Sequence, residues 1–144
     1  MTASLDPTTG LFTGYASLFG VADAQKDVVE RGAFQASLAR RGVSGIRMLW
    51  QHDPAEPVGV WLSLAEDAVG LRVTGRLVEG TARASEALTL MAAGAVDGLS
   101  IGFKAVRASA DRRTGTRRLL EVDLWEVSIV TFPALTGARV RLMA

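Results

Sequence analysis

Few residues in this 144-residue chain have the means for chemistry. It has no cysteine and a single histidine, His52, and Ser100 is the one hydroxyl in Asp97-Gly98-Leu99-Ser100-Ile101-Gly102-Phe103, a stretch otherwise built to pack. A serine hydroxyl is a weak nucleophile at neutral pH, so a base within about 3 Å must take its proton as it attacks. An imidazole, which ordinarily titrates near 6.5, can accept that proton and later return it to a leaving group. If a nucleophile and a base are present, Ser100 and His52 are the pair. Taken alone, each has an ordinary reading too: a strand serine is usually filler, and a histidine beside a tryptophan usually packs or turns. Only geometry separates these readings.

The elements that must position the two residues follow from periodicity. With period two, Leu99, Ile101, Phe103 and Ala105 share one face of a strand, and Ser100, Gly102 and Lys104 share the other. Gly102 carries no side chain, so another chain can approach the serine closely. His52 ends a second strand-like run, 46–52, and Asp53-Pro54 breaks it, because proline cannot donate to a ladder and restricts the residue before it. Earlier in the chain, 11–19 reads as a first strand in which Gly14 marks a bulge or a close backbone approach. Residues 21–29 read as a connecting loop, and 33–41 as a short helix stopped by Gly42.

Segments 58–64 and 71–78 flank a turn ending at Gly70 and form a hairpin. In 81–93, Ala84, Ala87, Leu88, Met91 and Ala92 follow helical spacing between a Thr81 cap and Gly94. The serine strand runs to about Arg107, and the turn 111–115 returns the chain into an antiparallel partner, 117–132. On that partner Val122, Leu124, Glu126, Ser128 and Val130 alternate with Asp123, Trp125, Val127, Ile129 and Thr131. Glu126 thereby falls between apolar neighbours, where a carboxylate is costly unless hydrogen-bonded. The segment 139–142 adds a short edge. These elements predict a mostly β fold, a six- to seven-stranded, largely antiparallel barrel with two or more peripheral helices. The three tryptophans, Trp50, Trp61 and Trp125, are expected to pack.

Composition sets the limits. A chain with 49% hydrophobic residues has enough to build one core, so 1–144 reads as one domain with its core in about 11–138. A net charge of +1 argues against nucleic acid, and Arg112-Arg113 with Arg117-Arg118 reads as a solvated hairpin tip. Without cysteine, thiolate metal sites and disulfides are excluded, and one histidine makes metal catalysis a poor fit, so no cofactor is expected. No run approaches membrane-spanning length and the N-terminus lacks an export pattern, which predicts a soluble, cytoplasmic protein without membrane partners.

Five segments in order carry a resemblance that spans about 11–138. They are Gly14-Tyr15-Ala16-Ser17-Leu18-Phe19-Gly20; Asp27-Val28-Val29-Glu30-Arg31-Gly32-Ala33-Phe34; Leu49-Trp50-Gln51-His52-Asp53 with Val58-Gly59; Gly98-Leu99-Ser100-Ile101-Gly102-Phe103; and 124–134, from Leu124-Trp125-Glu126 to Phe132-Pro133-Ala134. Together they resemble the successive motifs of the prohead proteases of tailed bacteriophages, a family similar in fold to the herpesvirus assemblins. The resemblance implies a serine endopeptidase that trims scaffold and major capsid protein inside the immature capsid, in the cytoplasm of a bacterial host. Prophages and gene transfer agents carry similar proteins.

The resemblance also implies Ser100 as nucleophile, His52 as general base and Glu126 as the acid that orients the imidazole, with Glu121 and Asp123 upstream on the same strand as alternatives. Homodimerisation would follow the assemblins. Oxyanion donors would be main-chain amides near Ser100 or an arginine. Two departures stand out: Leu135 follows the closing Pro-Ala where the family often has a polar residue, and the long C-terminal tail that some relatives carry is not expected here. A reading from a different class also fits the fold, a non-catalytic barrel serving as an assembly or tube component of a phage-like particle.

Overall fold

In the computed structural model, which describes residues 5–140, the period-two runs become strands whose apolar faces close around one core. The order is β1 (Leu11–Leu18), β2 (Asp27–Val29), α1 (Gln35–Arg41), β3 (Arg47–Trp50), β4 (Asp53–Glu66), β5 (Gly70–Leu77), α2 (Ala82–Ala92), β6 (Gly98–Asp111) and β7 (Thr116–Val130). A single sheet contains all seven strands, with β1, β5, β4 and β3 antiparallel in sequence across it.

The long strand β7 is the spine. One of its edges pairs antiparallel with β6 from Gly98↔Val130 to Asp111↔Thr116. Its other edge takes two short strands in parallel: β2 against Arg117–Leu119 and β3 against Glu126–Ile129. Arg117 clamps Asp27 with two hydrogen bonds of 2.8 and 3.0 Å, and Arg118 holds Glu30 at 2.7 Å. These two arginines therefore tie β2 to the spine, whereas Arg112 and Arg113 are the exposed tip foreseen from the sequence. β2 itself corrects the expectation of a plain loop over 21–29: three residues are too few to show a period, and ion pairing sets them in place.

The sheet curls into a half-barrel, and a short return of the chain seams its two edges. Arg139 bridges to Gly98 on β6 and Val140 to Gly14 on β1, while the Leu99 N–H donates to Ala138 O at 2.8 Å and the Val140 N–H to Asp97 O at 2.7 Å. Gly14 is the close approach predicted for it: a Cβ there would lie 2.3 Å from Arg139 O. The bulge in β1 lies slightly later, between Tyr15 and Ser17. The part of the predicted 139–142 edge beyond Val140 lies outside the described residues.

Inside the curl Phe12, Met48, Leu71, Leu99, Leu124 and Ile129 are fully buried, and Phe12 meets Trp61 edge-on at 5.5 Å. Each such side chain contributes about 1.5–3 kcal/mol by leaving water. Helix α2 lays Ala84, Ala87 and Met91 on β4 and β5, and the Ala84 N–H donates to the Thr81 hydroxyl at its start. Among the described residues, no helix is long and apolar enough to cross a membrane.

Candidate active site

His52 does not end a strand, as the proline after it suggested; it sits in a two-residue hairpin turn. Trp50 pairs with Asp53, so β4 begins directly after the histidine, and both Gln51 (φ 54°) and His52 (φ 60°) have left-handed backbone. Two successive positive φ values suit the right-handed twist of a tight hairpin, but they are strained for residues with a Cβ. β7 holds the strain in place. The Gln51 N–H donates to Ile129 O at 2.9 Å, the Gln51 amide bonds Thr131 at both ends, and the His52 N–H donates to Ser128 Oγ at 3.0 Å. The imidazole is thereby fixed over the surface of β7.

Glu126 reaches that imidazole because of an irregularity in the ladder. Gly102 pairs with Glu126, yet the next residue, Phe103, pairs with Leu124, so Trp125 is an extra residue on β7. Below the bulge Val122 and Leu124 lie on the core face with Val127 and Ile129; above it Glu126 joins Ser128 on the opposite face, beside Ser100 and Gly102. The simple alternation that put Glu126 between apolar neighbours is thus broken at Trp125, a residue 40% exposed rather than packed.

The carboxylate is fully engaged. Glu126 Oε2 lies 2.5 Å from His52 Nδ1, and Oε1 accepts a 2.7 Å hydrogen bond from Ser128 Oγ. Glu126 is 4% exposed, so these bonds offset the cost of burying it. Gly102 provides the floor: a Cβ at that position would stand 2.2 Å from Glu126 Oε2. The glycine beside the serine leaves room for this carboxylate.

The alternatives considered for the acid are occupied elsewhere or lie further along the strand. Asp123 is bound by Arg40 at 2.7 Å and by Arg41 at 2.9 and 3.0 Å, which holds its carboxyl down to about 2. Glu121 pairs with Arg107 in the β6–β7 ladder, more than one turn of the pleat from the histidine. Asp53, next to His52, caps its own turn by accepting from the Ala55 N–H.

Ser100 lies directly opposite Ser128 across the β6–β7 pair, and Leu49 of β3 lies opposite Ser128 on the other side. With strands about 4.8 Å apart, the serine and the histidine turn thus approach from the two sides of β7. Ser100 and His52 both line one cleft of about 210 Å³, walled by Leu18, Val21, Ile101, Phe103 and Leu135. The Glu126 hydrogen bond raises the His52 imidazole above its ordinary value, against the opposing effect of partial burial. An imidazole held by its Nδ1 presents Nε2 as the free nitrogen, the arrangement a base needs toward a hydroxyl. Sequence reading missed Ser128; its only signal was its place two residues after Glu126.

The profile of the family described as caudovirus prohead serine protease matches residues 2–144. The prohead protease of Enterobacteria phage HK97 is 36% identical over 140 residues, covering 96% of this chain and 62% of that one. The capsid polyprotein of Pseudomonas phage PAJU2 is 32% identical over 143 residues, 95% of this chain but 20% of its own length. The chain therefore spans less than two thirds of either relative. The solved bacteriophage T4 capsid assembly protease superposes with a TM-score of 0.67 at 15% identity, covering 83% of this chain and 80% of that one. Varicella-zoster virus protease superposes with a TM-score of 0.56 at 15% identity, over 90% and 62%. At such identities these structures share the fold, the herpesvirus-protease-like half-barrel.

Proposed function

We infer the function from one premise: the chain belongs to the family of caudovirus prohead serine proteases. It acts as a serine endopeptidase that cleaves scaffold and major capsid protein during maturation of the immature capsid, within the shell assembled in a bacterial host. The observation that carries this reading is the His52 Nδ1–Glu126 Oε2 contact beside Ser100 in one cleft. A relative that is a capsid polyprotein supports the choice of substrate, since there a segment like this chain is one part of a longer capsid chain.

In this mechanism a peptide carbonyl enters the cleft and Ser100 Oγ attacks it while His52 Nε2 takes the hydroxyl proton. Glu126 holds the opposite ring nitrogen, fixes the tautomer and stabilises the imidazolium as it forms. The imidazolium gives its proton to the leaving amine, and water repeats the sequence to release the acyl group. Main-chain amides near Ser100 would meet the developing oxyanion.

Mass spectrometry of capsid protein from particles assembled with wild-type or Ser100→Ala protein tests the reading. Loss of a triad nucleophile costs roughly a million-fold, so processing should vanish while the variant still folds. Unchanged processing in Ser100→Ala particles would leave the chain a non-catalytic assembly component.

A further inference from the structure

The hydroxyl of Ser128 is used twice and reaches no solvent. It is fully buried, accepts the His52 N–H at 3.0 Å and donates to Glu126 Oε1 at 2.7 Å. With the contact between Glu126 Oε2 and His52 Nδ1, these bonds close a ring: His52 main chain, Ser128 hydroxyl, Glu126 carboxylate, His52 side chain. One hydroxyl therefore ties the backbone of the histidine to the group that grips its ring. A strand position needing only to be filled would be served by alanine, because a buried hydroxyl is costly unless it is bonded. Here both of its bonds go to the same functional pair.

We propose that Ser128 is a positioning residue: it fixes which carboxylate oxygen of Glu126 faces His52 and pins the left-handed turn that presents the imidazole. The role rests on the reading of His52 as base, and it is separate from that of Ser100, because Ser128 is enclosed and its proton is already directed at Glu126. Without the hydroxyl, Oε1 loses its donor, the carboxylate is free to rotate about its last bond, and the His52 N–H loses its acceptor. Both changes loosen the same contact. The other charged groups around the imidazole are Arg41 and Arg47, in a cavity on its outer side, and Asp23 and Asp27 across the cleft.

Two measurements on the full chain test this. Because His52 is the only histidine, NMR titration reads its pKa and tautomer without ambiguity. A fluorophosphonate probe, which bonds phosphorus to an activated serine oxygen and expels fluoride, reads Ser100 reactivity against pH. In Ser128→Ala the His52 pKa is expected to fall toward 6.5 and the labelling rate at pH 8 to drop roughly ten- to hundredfold, the range seen when groups that orient a functional ligand are removed. A titration and rate profile superimposable on wild type would overturn the proposal, even if the melting temperature fell. Should Ser128→Ala not fold, Ser128→Cys keeps the shape with a far weaker donor and carries the same expectation. If the wild type resists labelling, or Ser100→Ala labels equally, it is the protease reading that fails, and the NMR titration still decides the role of Ser128.

Discussion

At the scale of single residues, the proposed mechanism makes rate and pH dependence turn on the contact between Glu126 and His52. The carboxylate raises the imidazole pKa, so at a given pH below that value less of the neutral base is present than a free histidine would supply. Glu126→Gln removes the charge. The acid limb of the activity profile should move to lower pH while the maximal rate falls on the order of a thousandfold or more, as when a triad acid becomes an amide. Labelling rates between pH 5 and 9 would show both changes; an acid limb that stays in place would mean the carboxylate does not act on the ring. Gly102→Ala approaches the same contact from below, since its Cβ would stand 2.2 Å from Glu126 Oε2. It should lower the His52 pKa and cost roughly tenfold in labelling, with about 1–3 kcal/mol lost to overpacking. Ser100 and His52 stand out in the sequence as candidates because they are scarce: one histidine, and one hydroxyl in an apolar run. Ser128 was not, because a buried serine in a valine- and isoleucine-rich strand carries no mark until its partners are known.

At the scale of elements, two irregularities build the site, and neither is written in a period. Period-two reading assumes an unbroken ladder, and the extra residue at Trp125 shifts every face on one side of it. The left-handed turn at Gln51 and His52 contains none of the glycine or asparagine that usually announces such a turn; its bonds to Ile129, Ser128 and Thr131 offset the strain. Sequence read correctly the Thr81 cap of α2, which depends on residues three apart, and the close approach at Gly14, which the missing side chain announces although its partner Arg139 is far along the chain. That approach makes a prediction about the seam. A methyl at Gly14 would press on the main-chain oxygen of Arg139, which cannot swing aside as a side chain would. Gly14→Ala should therefore lose about 1–3 kcal/mol of stability by urea denaturation. No loss would mean that the return of the chain between β1 and β6 is not what closes the curl.

At the scale of the whole molecule, seven strands gather on one sheet because long β7 offers both edges, and the site lies where β3, β7 and β6 run side by side. That placement links folding to protonation. The folded-state pKa of His52 is raised, so its bond to Glu126 contributes stability that is fully present below about 6.5, the unfolded value, and is lost as pH rises through the folded value. The proposed mechanism needs the opposite state, the neutral base that appears over the same rise. On that mechanism the protein gives up some stability as it becomes competent. Asp123, held down to about 2 by Arg41 and Arg40, titrates far below this window and does not confuse it. The urea midpoint of wild type should exceed that of Glu126→Gln by more at pH 5.5 than at pH 9, the gap narrowing through the same pH range in which the His52 resonances titrate. A gap that stays constant from pH 5.5 to 9 would separate the stability of the fold from its only imidazole. The strained turn would then be held by its main-chain bonds to β7 and not by the charge on the ring.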